Sequence, residues 1–133
     1  MISFSTLIRT DQKLNNTPPS ELVPSIVATG VWFEEEVMRA QGLAGRQFII
    51  TRCYSTPEVN RAVGGSVTSA HVKGLAVDFK VPGMSPRDVV AAIRKSGVKF
   101  DQLILEPTWV HIGRGPRMRG QVLEKTKDGY KVI

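Results

Sequence analysis

SAHVKGLAVDFKVPG, residues 69–83, decides how this chain is read. Its second half, Gly74 to Val81, is apolar and β-branched and predicts a strand closed by Pro82-Gly83. Asp78 falls in the middle of that strand, between Val77 and Phe79. A carboxylate among apolar neighbours is costly unless it is paired or bound to a cation. His71 stands seven residues earlier. On a helix the two would be separated by about 10 Å of rise. On one continuous strand an odd offset would put them on opposite faces. They converge only if the chain turns between them, and Gly74 can supply that turn.

Outward from this stretch the elements follow. Residues 10–20 (TDQKLNNTPPS) form a loop. Ser20 is expected to cap a short helix through Val27, and Thr29 a second one to about Gln41. The apolar face of the second is Val31, Trp32, Val37, Met38 and Leu43, with Glu34 to Glu36 outward. Phe48 to Arg52 predicts a buried strand and Pro57 to Ala62 a short helix. Val63 to Ser66 is a loop. Ser85-Pro86 opens the clearest helix, with Val89, Val90 and Ile93 inward and Ser96-Gly97 as its stop. Gln102 to Glu106 and Trp109 to Gly113 predict two more strands, and Asp128-Gly129 a terminal hairpin. Helices come first and strands later. This predicts an α+β domain with N-terminal helices packed on a central antiparallel sheet.

At 133 residues one core is expected, so the reading is one domain over 1–133. The single cysteine excludes an internal disulfide and a multi-thiolate zinc site. Cys53 is expected to be a reduced packing residue, and Trp109 a core residue. The composition, 41% hydrophobic, excludes a disordered chain. The N-terminus lacks the basic start and apolar run of a secretory signal, and no window is long enough to span a bilayer. Synthesis in a cytoplasm without membrane insertion is therefore expected. The net charge is +6, of which +4 lies in residues 114–133, with six basic against two acidic residues. An acidic partner is implied, an anionic envelope polymer or nucleic acid. The basic run GRGPRMRG (113–120) lacks interleaved aromatics, so nucleic acid is not expected.

Only two histidines are present, His71 and His111. The second stands in an apolar strand, between Trp109, Val110 and Ile112. Two histidines and Asp78 make a mixed nitrogen and oxygen set that suits zinc, with a fourth position open. Zinc lowers the pKa of bound water to about 7 and polarises a carbonyl. A hydrolase also needs a carboxylate to move the proton, and Glu106 is the nearest candidate. The competing reading is that each histidine is a satisfied core or surface residue.

VGGSVTSAHVKGLAVDF (63–79) followed by LILEPTWVHIG (103–113) resembles the zinc D-Ala-D-Ala carboxypeptidase family. That family also includes D-Ala-D-Ala dipeptidases and the L-alanyl-D-glutamate endolysins of bacteriophages. Its pattern is Ser-x-His, six residues, Asp, then Trp-x-His, and TRCYSTPEVN (51–60) resembles its Arg-bearing strand end. The resemblance covers about residues 20–113, leaving a basic C-terminal arm, 114–133. It implies a small hedgehog/DD-peptidase fold. It implies zinc on His71, Asp78 and His111, with Glu106 as general base and acid. Arg52 would hold a carboxylate or carbonyl oxygen of the substrate, and Ser69 would hydrogen-bond its backbone. In several members the catalytic carboxylate lies three residues before the last histidine, where this chain has Thr108. Glu106 fits the second arrangement, and the only other nearby acid is Asp101. The implied activity is hydrolysis of peptidoglycan stem peptides or cross-links, a D,D bond preferred. The alternatives are an L-alanyl-D-glutamate endolysin and a non-catalytic virion or binding module. A monomer is expected, reaching the wall after holin-type release or inside a virion.

Overall fold

A computed structural model describes residues 1–133. Four helices and a six-stranded sheet make up the chain, so the α+β expectation is met. The helices are α1 (Phe4–Leu7), α2 (Val23–Trp32), α3 (Pro57–Ala62) and α4 (Pro86–Ser96). The strands are β1 (Ile49–Arg52), β2 (Ala76–Lys80), β3 (Gln102–Leu105), β4 (Val110–Gly113), β5 (Gln121–Thr126) and β6 (Gly129–Val132). Their spatial order is β1-β2-β4-β3-β5-β6. The first four are antiparallel to their neighbours, as expected. β5 joins β3 in parallel, so the full sheet is mixed. The C-terminal arm forms the β5–β6 hairpin about Asp128-Gly129.

The core lies between α2, α4 and one face of the sheet. Ile26, Phe33 and Val37 from the N-terminal helical run meet Val77, Phe79, Leu103 and Ile112 from the strands, all fully buried. Phe33 packs edge-on against Phe79, with centroids 4.9 Å apart. Helix α4 is built as its sequence suggests. The Ser85 hydroxyl accepts from the Asp88 amide, Pro86 sits in the first turn, and Gly97 ends the helix at φ 82°.

The two expected N-terminal helices are one rod. A 3-10 turn at Ser20–Leu22 leads into α2, and a π turn at Phe33–Val37 continues it. Neither Ser20 nor Thr29 caps. Thr29 is fully buried, and its hydroxyl reaches the carbonyl oxygens of Gly74 (2.6 Å) and Ser25 (2.9 Å). Inside a continuous helix the inward row is Ile26, Thr29, Gly30, Phe33 and Val37, so Val31 is exposed and Phe33 takes its place.

The chain leaving β4 is pinned through Asp101. Its carboxylate accepts from Arg119 Nε (2.7 Å), Nη2 (2.9 Å) and the Arg119 amide (3.1 Å). Those bonds hold the Asp101 carboxyl below its ordinary range. A depressed folded-state pKa stabilises the fold above the unfolded value and is lost as pH falls through the folded one. Asp101→Asn is therefore expected to lower stability modestly above about pH 5. Thermal melts across pH check this. The gap from wild type should close under acid and stay constant above neutrality.

Candidate metal centre

One cross-strand row carries the site. Arg52 on β1 registers with Asp78 on β2, Asp78 with His111 on β4, and His111 with Ile104 on β3. Residues directly opposite in a ladder share a face, and this face is the one turned away from α2 and α4. His71 joins the row from outside the sheet. It lies in a 3-10 turn, Ala70–Lys73, whose entry Ser69 caps by accepting from the His71 amide at 3.2 Å. Gly74 then reverses the chain at φ 68°. Thus the turn expected between His71 and Asp78 is present, and glycine makes it.

Gly74 is constrained twice. A Cβ there would stand 2.6 Å from Ile26 Cγ1, and Ile26 is fully buried. Its carbonyl is also held by Thr29, and the Thr29 hydroxyl accepts from Arg114 Nε at 2.8 Å. Gly74→Ala is expected to cost about 2–4 kcal/mol, from left-handed strain and overpacking together. Urea unfolding measures the loss. An unchanged midpoint would contradict the constraint.

The donor atoms of His71, Asp78 and His111 all lie within 4.8 Å of one another. Asp78 Oδ1 is 3.0 Å from His71 Nε2 and 3.0 Å from His111 Nδ1. His71 and Asp78 are buried, and the His111 side chain is 12% exposed. His71 Nδ1 lies 2.6 Å from the Cys53 carbonyl oxygen, which can only accept. Nδ1 therefore carries the proton and a neutral His71 turns its Nε2 lone pair to Asp78. Burial favours that neutral form, holding His71 below its ordinary pKa against the pull of Asp78. A lone pair facing a carboxylate at 3.0 Å calls for a cation between them. Asp78 is held well below the usual carboxylate range although burial pushes it up, so an ionised carboxylate stands beside that neutral imidazole. Two imidazole nitrogens and one carboxylate are a fitting set for zinc, and the backbone bond that orients His71 is the usual outer support of a ligating histidine.

The cluster opens on a cleft of about 840 Å³. Arg52, Ser69 and Glu106 line it together with the three ligand candidates, so all six singled-out residues share one cavity. Glu106 is buried at 9% exposure, just past the end of β3. Its carboxyl is raised by burial, lowered by His111 and raised again by Asp78, the net direction being upward. Thr108, the other position at which a carboxylate could have stood, is exposed and lines a separate apolar cleft with Ile49 and Phe79. Asp101 is committed to Arg119. Glu106 is thus the carboxylate in the cleft that is neither in the metal cluster nor ion-paired.

Arg52 Nη2 donates to Asn60 Oδ1 at 3.0 Å, while its Nε is buried without a partner. Burial works against the Arg52 charge, and Asp78 and Glu106 support it. Arg52 lines the cleft, and a guanidinium with a donor still unpaired is suited to an oxygen of a bound molecule. Asn60, which sequence reading passed over, also donates to the Ser66 carbonyl and so ties Arg52 to the 63–66 loop. Cys53 is buried and free, with its thiol pushed up to about 12 mainly by burial, which suits packing and not nucleophilic attack. Trp109 departs from the expectation of a core residue. It is half-buried and borders both clefts. No helix is long and apolar enough to cross a membrane.

The model of a protein family described as Peptidase M15 matches residues 20–113. The match runs from the turn before α2 to the end of β4 and leaves β5 and β6 outside. No curated protein matches the chain.

Proposed function

The chain belongs to the peptidase M15 family, and from that premise we propose that it is a zinc-dependent peptidoglycan peptidase, a D,D-carboxypeptidase or endopeptidase. M15 peptidases are zinc-dependent metallopeptidases. The observation that carries the reading is the convergence of His71, Asp78 and His111 on one point beside Glu106. When bound, zinc acidifies a water and polarises the scissile carbonyl. The rest falls to the chain. Glu106, with a raised carboxyl pKa, takes a proton from the attacking water and returns it to the leaving amine. Arg52 offers its guanidinium to a substrate carboxylate or carbonyl oxygen. Ser69 keeps its hydroxyl proton for the substrate backbone while its oxygen caps the His71 turn. Cys53 holds His71 in the tautomer that ligates. Every group comes from one chain, so a monomer suffices. In this reading the enzyme acts on the wall after holin-type release or delivery in a virion, and its +6 charge favours an anionic envelope.

Mass spectrometry of muropeptides after incubation with purified peptidoglycan tests the assignment. Cross-linked dimers are expected to fall to monomers, or pentapeptides to lose one alanine, and chelator should stop both. Free stem peptides released by L-alanyl-D-glutamate cleavage would move the bond but keep the chemistry. An unchanged profile with zinc present would sink the proposal.

A further inference from the structure

The cleft has a wall that the family match does not reach. The β5–β6 hairpin lies wholly beyond residue 113, yet Leu123, Lys125 and Tyr130 line the same cavity as the metal cluster. The parallel register with β3 puts Leu123 beside Ile104 and so continues the row Arg52, Asp78, His111, Ile104. Lys125 is two residues on, hence on the same face. Its cross-strand partner is Tyr130, and Lys125 Nζ sits 4.7 Å from the centre of that ring. The contact holds the ammonium without neutralising it, because Lys125 makes no ion pair with any carboxylate. Arg117, at the same rim, has none either. In contrast, Arg119 and Arg114, which also border the cleft, are held by Asp101 and Thr29.

We propose that Lys125, braced on Tyr130, forms a subsite for a carboxylate of the substrate, on the side of the metal cluster opposite Arg52. β1 borders the ligand-bearing pair β2 and β4 on one side, and β5 lies one strand beyond it on the other, across β3, so a peptide lying across the row meets a cation at each end. The charges of Glu106 and Asp78 reach Tyr130, adding to burial in raising its phenol, which places the hairpin within electrostatic range of the reacting groups. A substrate with acidic groups on both sides of its scissile bond fits this arrangement, whereas a neutral peptide leaves Lys125 unused.

This rests on the peptidase reading, and the test separates the two. Muropeptides with free side-chain carboxyl groups are compared with the same muropeptides amidated. Wild type is expected to favour the free acid about fivefold in KM and in calorimetric Kd. Lys125→Gln should bring both ratios near one, while Lys127→Gln, a neighbouring lysine outside the cleft, should keep them. Retained selectivity in Lys125→Gln, or an equal loss for both ligands, overturns the subsite. Should no muropeptide be cut by wild type, the peptidase reading fails, and the calorimetric ratios still decide the subsite.

Discussion

Asp78→Ala is expected to abolish the proposed peptide hydrolysis and to erase the rise in melting temperature expected from zinc in the wild-type protein. Asp78 Oδ1 is the atom both histidines face, at 3.0 Å each. Without it two imidazoles remain, a set with too few ligands and no negative charge to hold a dication. Zinc affinity should fall by more than the 10- to 100-fold typical of losing an outer supporting group, that is by at least about a hundredfold. Turnover should fall about 10³-fold or more, because several kcal/mol of charge stabilisation leave with the metal. Zinc at a hundred times its dissociation constant adds about 2.7 kcal/mol to a protein that binds it only when folded. Melts with and without zinc should therefore diverge for wild type and coincide for Asp78→Ala. A variant that keeps its zinc-dependent shift would place the metal elsewhere.

Glu106→Gln is expected to separate metal from catalysis. The amide is isosteric and can neither take nor return a proton. Glu106 lies outside the ligand cluster, so zinc stoichiometry should remain at wild type. Turnover should drop by about 10²–10⁴-fold, the usual contribution of a positioned general base and acid. Steady-state kinetics with metal analysis on the same sample read both quantities. Near-normal turnover with zinc bound would remove Glu106 from the mechanism. Lost zinc would make it a ligand.

The local parts of this account were legible in the sequence because local chemistry determines them. Ser85-Pro86 and Gly97 mark both ends of α4, since each satisfies a backbone requirement of a helix terminus by itself. Asp78 stood out because a carboxylate inside an apolar strand demands a partner. Gly74 stood out because the offset from His71 forces a turn. The parts that were missed depend on distant residues. Thr29 reads as a cap when only its neighbours are considered. Its true partners are Gly74 and Arg114, 45 and 85 residues away. Val31 faces the core only if a new helix starts at Thr29, and one unbroken run puts Phe33 there instead. Asn60 carries no signal of its own until β1 brings Arg52 beside it. The C-terminal arm reads as a charged, solvated tail. Only strand pairing with β3 makes it a wall of the cleft, and nothing local encodes a parallel partner.

Anomalous diffraction at the zinc edge, from crystals of the zinc-loaded protein, locates the metal. One strong peak per chain is expected, about 2.0–2.2 Å from His71 Nε2, His111 Nδ1 and a carboxylate oxygen of Asp78. A peak elsewhere, or none at this cluster in zinc-loaded crystals, would contradict it.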